Sequence, residues 1–294
     1  VSHPLKIAVD ERDSATLDQF AQLIHDRVGL RFNDETRRRS LLARVRDAAR
    51  EAGCSSVAEL YARVLAEQGP TLNGGLFQKV LDRIVTDETS FFRYADQFHA
   101  LRNYILPAIA SNREFSGDNS LRILAAGCSR GQEPYSIAIS ALEEAETLRG
   151  LETRIYALDL SQNALDIARA GIYDAAQVRD VEPRILEKYF TEINRPKGRP
   201  PQYKVKPEVQ RMVRFQRHNL LKELPGPIFD VIFCRNVTIY FNDEVTRRVA
   251  RNLYDRLRPG GYLFLGHAES LYNILPELCP LKYGETLVNR KPSK

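Results

Sequence analysis

Cysteine and histidine are scarce in this chain of 294 residues, which has four of the first and five of the second. The cysteines, Cys54, Cys128, Cys234 and Cys279, lie too far apart in sequence to form a Cys-x-x-Cys metal pair. So few of them in so long a chain make a poor disulfide framework. With the histidines equally scattered, no metal site is expected, and the thiols read as reduced cysteines of a cytoplasmic protein. Long apolar runs are missing too. Stretches such as 231–234 and 262–266 are of strand length, far below the roughly 18–20 residues of a membrane span, so no membrane insertion is expected. Residues 1–10 lack a basic start followed by an apolar run, and no secretory signal is expected there.

What is present is an ordinary globular mixture, 43% hydrophobic and 28% charged, with enough apolar side chains for a core. The net charge of +5 is unevenly spread. Between positions 31 and 50, seven arginines (Arg31, Arg37, Arg38, Arg39, Arg44, Arg46, Arg50) face three acids, and a second basic stretch runs from 179 to 222. Such patches suit an acidic partner, because summed charge steers encounter with the opposite sign; each is equally well read as a solvated face. Neither stretch has the interleaved aromatics of a base-stacking platform, so nucleic acid is not the expected partner.

The spacing of apolar residues predicts helices through the first ninety positions. Ser14 can cap one carrying Leu17, Phe20, Ile24 and Val28. A second covers 35–52, with Leu41, Leu42, Val45 and Ala49 inward and most of the arginine cluster outward. A third starts near Ser56 and buries Val57, Leu60, Tyr61, Val64 and Leu65; a fourth spans 75–85. After a linker helix and boundary loop over 91–119, strand-like runs at 121–126, 154–160, 229–234 and 262–265 alternate with helical ones at 132–148, 165–171 and 243–257. That alternation predicts an α/β domain over 120–294, a doubly wound, mostly parallel sheet covered on both faces. It breaks down at 190–217, where 203–206 and 213–217 read as an antiparallel hairpin, a small β-subdomain insertion.

Four segments carry chemistry. The first strand runs into Gly127-Cys128-Ser129-Arg130-Gly131-Gln132-Glu133-Pro134, where two glycines let the backbone turn sharply and approach a ligand at a helix start. A bare tight turn is the alternative, and the G-x-G-x-x-G of nicotinamide enzymes is absent. The second strand ends at Asp159, placed to bind ribose hydroxyls or simply to cap the next helix. The strand at 229–234 delivers Asn236 to its carboxyl end, with Tyr240 four residues on. Residues 86–93 read Thr-Asp-Glu-Thr-Ser-Phe-Phe-Arg; taken alone, they are the start of a linker helix.

Together these segments resemble the CheR family of chemotaxis receptor glutamate methyltransferases. The family pattern joins T-x-x-T-x-F-F-R, G-x-S-x-G-x-E-P-Y-S, D-[IL]-[DS] and C-R-N-V-x-I-Y-F, found here at 86–93, 127–136, 159–161 and 234–241. Residues 257–270 are similar to the family's last helix and strand. The resemblance implies a class I, Rossmann-like S-adenosylmethionine methyltransferase with an N-terminal helical bundle at 1–90 that docks receptors. It implies that Asp87, Thr89, Arg93, Gly127, Glu133, Asp159, Asn219, Leu220, Asn236 and Val237 bind the cofactor, Thr89 and Arg93 at its methionine end, Asp159 at the ribose, Asn219 and Leu220 beside the adenine. Arg93 and Tyr240 would also face the substrate carboxylate. The product would be S-adenosylhomocysteine, and no metal is involved.

The implied partners are the cytoplasmic methylation helices of chemoreceptors, met by Arg37, Arg38, Arg39, Arg44 and Arg46, and, as in some family members, a receptor C-terminal peptide added to the β-subdomain. The chain departs from the family pattern at Asp87, Arg130, Gln132 and Thr238, where asparagine, threonine, glutamate, and leucine or methionine are common. A glutamate carboxylate is ionised at neutral pH, with a reference pKa of about 4.3, so methyl esterification needs no general base, in keeping with motifs that contain no histidine. Three other readings stay open: a methyltransferase for a different acidic protein or a small carboxylate, a regulatory module that binds the cofactor without turnover, and, behind these, a nucleic-acid methyltransferase.

Overall fold

The computed structural model describes residues 11–67, 75–85, 88–116, 119–193, 196 and 199–293. The chain divides into two compact units, Val1–Thr86 and Asp87–Lys294.

The first unit is helical: α1 (Glu11–Val28), α2 (Glu35–Glu51), α3 (Val57–Ala66) and α4 (Leu76–Ile84). Helix α1 begins before Ser14, so that residue is not its cap. The Asp34 side chain caps α2 by accepting from the Arg37 amide at 2.8 Å, and Ser56 caps α3 by accepting from the Glu59 amide at 3.1 Å. Residues three and four apart on each helix fill the core: Leu17, Phe20 and Ile24, then Leu41 and Val45, Leu60 and Val64, and Val80, Leu81 and Ile84. Leu65, expected inside, is 51% exposed; it follows Val64 and so points off the buried stripe.

The second unit opens with α5 (Ala95–Ala100), a π turn at Leu101–Ile105 and α6 (Leu106–Ser116). The α/β succession follows as β1 (Ser120–Ala126), α7 (Gln132–Glu143), β2 (Glu152–Asp159), α8 (Gln162–Ala170), β3 (Ile172–Asp174), α9 (Ala175–Val178), α10 (Pro183–Tyr189), β4 (Phe190–Ile193), β5 (Gln202–Val205), α11 (Pro207–Gln210), β6 (Val213–Arg217), β7 (Phe229–Cys234), α12 (Asp243–Arg256), β8 (Leu257–Leu265), β9 (Cys279–Tyr283) and β10 (Thr286–Arg290). A seven-stranded sheet has the order β6-β2-β1-β7-β8-β10-β9. Its first five strands are parallel, and β10 and β9 close it antiparallel.

Period-two alternation sends neighbouring side chains of one strand to opposite faces. Ile123, Ala125, Val231 and Phe233 join one core with Leu101, Ile105 and Ile137. Leu124, Ala126, Ile232 and Cys234 join the other with Val249, Ala250 and Leu253 of α12. Both faces are therefore covered, and the doubly wound expectation holds.

The hairpin expectation holds only in part. Strand β5 does lie in a small antiparallel sheet, but its partners are β3 and β4. Residues 213–217 instead run parallel to β2 as the edge of the main sheet, Ala157 opposite Phe215. The helix predicted over 132–148 stops at Glu143 and gives way to turns. Among the described residues no helix is long and apolar enough to cross a membrane.

Candidate functional site

From β1 the chain works outward through β2 to β6, then returns to β7 on the other side of β1. Ligands of open α/β sheets bind at such a reversal, outside the carboxyl ends of the strands. Here the ends of β1, β2 and β7 bring together the glycine loop, Asp159 and Asn236.

Gly127 (φ +80°) and Gly131 (φ +91°) take left-handed backbone, and a Cβ on Gly127 would sit 2.5 Å from Val237 Cγ2. The Gly127 and Cys128 amides donate to the Leu158 carbonyl at 2.8 and 2.9 Å, which ties the loop to β2. Asp159, buried, accepts from the Ser129 amide at 2.7 Å and the Ser161 amide at 2.9 Å. It thus clamps the loops that follow β1 and β2. The His218 amide donates to the Asp159 carbonyl at 2.8 Å, which sets Asn219 and Leu220, both buried, beside the same strand end. The Asn219 Oδ1 accepts from the Leu221 amide at 3.0 Å.

Glu133, in the first turn of α7, pairs with Arg235 at 2.5 Å, both side chains buried. Burial raises the Glu133 carboxyl pKa, and the Arg235 guanidinium opposes that rise. Arg235 also donates to the Arg93 carbonyl at 2.6 Å and to Gln97 Oε1 at 2.9 Å. One guanidinium therefore joins the glycine-loop helix, the end of β7 and the segment around Arg93. Tyr94 extends this contact: its hydroxyl accepts from Asn236 Nδ2 at 3.1 Å, and its ring stacks on His267 at 3.9 Å. The Arg93 guanidinium lies 5.2 Å from the Tyr94 ring centre and donates to the Glu88 carbonyl at 3.2 Å.

Among the described residues, the non-glycine residues with positive φ are Phe92, Tyr94, Ser129 and Asn236. All lie in or beside the segments singled out in the sequence. Such backbone is unfavourable and persists where surrounding contacts over-determine it, often at functional sites.

Thr89 and Arg93 are half-buried, as are Val237 and Tyr240; Tyr240 closes the 3₁₀ turn Thr238–Tyr240. Asp87 lies outside the described residues. Cys128 is no nucleophile: burial first, then the Asp159 and Glu133 carboxylates, push its thiol well above the usual range. Arg235, Tyr94, Gln97 and Glu269 were not assigned roles from sequence, although Arg235 and Glu269 stand inside the quoted motifs. An arginine directly after the apolar run Val231–Cys234 is the signal the sequence offers.

Of the arginines proposed to dock an acidic helix, Arg37 pairs with Asp34 at 3.2 Å, Arg38 with Asp18, and Arg39 with Glu35 at 2.9 Å. Arg39 and Glu35 are largely exposed, so that pair is weak. Arg44 donates to the carbonyls of Arg83 at 2.8 Å and Ile84 at 3.1 Å, which makes it a cap on the carboxyl end of α4. Arg46 is half-buried on α2.

The sequence model of the CheR methyltransferase S-adenosylmethionine-binding domain matches residues 87–280. The chain is 38% identical over 237 residues to chemotaxis protein methyltransferase 1 of Pseudomonas aeruginosa, covering 79% of this chain and 82% of that protein. It is 35% identical over 265 residues to chemotaxis protein methyltransferase Cher2 of Pseudomonas putida, covering 88% and 91%. With a chemotaxis protein methyltransferase of Vibrio parahaemolyticus it shares 38% identity over 222 residues, 74% of this chain and 75% of that one.

Proposed function

Because this chain belongs to the CheR methyltransferase family and is an S-adenosylmethionine-dependent methyltransferase, we propose that it esterifies glutamate side chains on the cytoplasmic helices of chemoreceptors. The observation that carries the reading is the continuous contact from Asn236 through Tyr94 to Arg93. It joins the switch-point crevice to a half-buried cation that can receive a carboxylate.

Orphaned polar atoms support the cofactor at this crevice. Ser129 Oγ, Gln132 Oε1 and His218 Nε2 are buried without hydrogen-bond partners among the described residues, whereas buried polar groups are almost always satisfied. Burial lowers the His218 pKa and favours the neutral ring. A ligand with both donors and acceptors, such as a ribose and an amino acid, suits that set. In this reading Asp159 takes the ribose, Asn219 and Leu220 flank the adenine, Asn236 and Val237 complete the pocket, and Thr89, Arg93 and Glu133 hold polar groups of the methionine end, with Asp87 assigned by family pattern alone. Bound S-adenosylmethionine supplies an electrophilic methyl group on a sulfonium.

The substrate carboxylate arrives ionised, so the chain has no proton to remove. Its residues orient and desolvate. Arg93 and the Tyr240 hydroxyl direct the carboxylate by hydrogen bonds, and alignment alone can remove several kcal/mol of barrier. The outward arginines Arg37, Arg38 and Arg39 suit a glutamate-rich helix, and the β3-β5-β4 sheet suits an added receptor peptide strand. The reaction takes place in the cytoplasm in this reading, without nucleic acid or a metal.

The test uses labelled S-adenosylmethionine and membranes bearing the organism's chemoreceptors, with alkali-labile label on protein as the readout. Transfer to glutamate that Asp159→Ala and Arg93→Ala abolish would support the reading. Cofactor binding with no transfer to any receptor would overturn it in favour of a regulatory binder or another acidic substrate.

A further inference from the structure

A single carboxylate holds the loop after β7. Glu269 Oε2 accepts from the Asn236 amide at 2.6 Å and the Gly266 amide at 2.7 Å. Its Oε1 accepts from the Val237 amide at 2.9 Å, the Thr238 amide at 2.7 Å and the Thr238 hydroxyl at 2.7 Å. Two oxygens with about four lone-pair positions receive five donors. Most of these donors are backbone amides, whose positions report the path of the chain rather than a rotamer.

The site around the carboxylate is built to admit it. A Cβ on Gly266 would lie 2.7 Å from Glu269 Oε2 and 3.0 Å from the Asn236 nitrogen, so a side chain there would expel the carboxylate or shift the loop. The Glu269 amide donates back to the Gly266 carbonyl at 3.0 Å, which closes the turn that presents the carboxylate. One residue earlier, Gln97 Nε2 donates to the Leu265 carbonyl at 2.7 Å. Asn236 has φ +59°, left-handed backbone that asparagine tolerates as a single residue, and Glu269 binds the amides on either side of it. The 3₁₀ turn that carries Tyr240 begins at Thr238, itself bound twice by Glu269.

We infer that Glu269 is a positioning residue for methyl transfer, the group that fixes Asn236, Val237 and the Tyr240 turn in the shape the cofactor pocket requires. The inference rests on the reading of the switch-point crevice as that pocket. It also gives the Thr238 hydroxyl a task, donation to the Glu269 carboxylate. A hydrophobic side chain offers the carboxylate no hydroxyl, and here the hydroxyl supplies its fifth donor.

The residue is poorly replaced even by its isostere. In Glu269→Gln one oxygen becomes an NH₂ group, so at least two N–H donors of the loop face another donor instead of an acceptor. Hydrogen bonds to charged groups are among the stronger ones in proteins.

Calorimetric binding of S-adenosylhomocysteine and methyl transfer to receptor membranes are measured on the full chain, alongside thermal melting. For Glu269→Gln the dissociation constant should rise on the order of tenfold to a hundredfold, with kcat lowered as well. Thr238→Val, which deletes one donor of five and leaves the fold intact, should raise it about twofold to tenfold. A group that merely supports the fold would lower the melting temperature and leave affinity and kcat of the folded protein unchanged; that outcome overturns the inference. If Glu269→Gln cannot be obtained folded, Thr238→Val decides, and an unchanged dissociation constant there is equally fatal. Failure of the wild-type chain to bind S-adenosylhomocysteine would instead strike the pocket reading, so the two failures are distinguishable.

Discussion

Replacing Arg235 with methionine tests whether the buried pair with Glu133 is the joint it resembles. The substitution removes the guanidinium that pairs with Glu133 at 2.5 Å and donates to Arg93 and Gln97, and it keeps an apolar stem among Phe98, Phe233 and Tyr94. Breaking one side of a buried ion pair costs about 3–5 kcal/mol, because the other charge is left in a poor solvent. The stranded carboxyl has an escape, which is to bind a proton. Burial already raises the Glu133 pKa against the pull of Arg235, and without Arg235 the rise is larger. A carboxyl with a folded pKa above its unfolded one contributes stability below the unfolded value and loses it as pH rises. The penalty of Arg235→Met should therefore grow by up to about 1.4 kcal/mol per pH unit above the raised folded pKa that Glu133 has in the wild type, until the still higher folded pKa of the variant is passed. Urea unfolding followed by circular dichroism at pH 6, 7 and 8 reads this slope against wild type. Adding Glu133→Gln to Arg235→Met should remove the slope and recover about 1–3 kcal/mol relative to additivity. A penalty independent of pH, or strictly additive single substitutions, would refute the reasoning.

Gly127→Ala places a methyl 2.5 Å from Val237 Cγ2 at φ +80°; cofactor affinity should fall at least about tenfold, and Val237→Ala in the same chain should restore part of it in calorimetry. Burial would raise the Glu143 carboxyl, but hydrogen bonds from Arg184, Lys188 and Tyr189 outweigh it and bring its pKa down to about 2. Its stabilisation is thus complete above the unfolded pKa and lost as pH falls from about 4.3 towards 2. In denaturation at pH 5 and pH 2.5, Glu143→Gln should cost about 1–2 kcal/mol at the higher pH and only a minor part of that at the lower, a figure reduced because Arg184 and Lys188 are half exposed. Arg44→Ala should destabilise the first unit by about 1–2 kcal/mol by uncovering the α4 carbonyls, while Arg39→Ala should change stability by less than about 0.5 kcal/mol; equal effects in a melting experiment would remove the distinction between cap and exposed face.

Local sequence carries far in this chain where local physics decides. The start of α3 at Ser56, the apolar stripe of α1 and the strand 229–234 follow from spacing and side-chain chemistry within a few residues, whereas the cap expected at Ser14 does not form because α1 starts earlier. Val213–Arg217 did not yield to that treatment. An alternating five-residue run is the same whether its partner is a hairpin neighbour or β2, more than fifty residues earlier, and the choice rests on which edge the packed sheet leaves open. Leu65 and Arg44 failed for a related reason: a helical stripe has fuzzy margins, and the carbonyls that claim Arg44 belong to a helix some forty residues away. By pattern and family resemblance, the sequence alone determined the α/β class, the glycine loop, the acid after β2 and the segments that build the crevice. Only the tertiary structure decided how those segments are locked. The clamps Asp159, Arg235 with Glu133, and Glu269 act on backbone amides and buried charges supplied by distant parts of the chain, and no local pattern encodes a partner that arrives only when the sheet has formed.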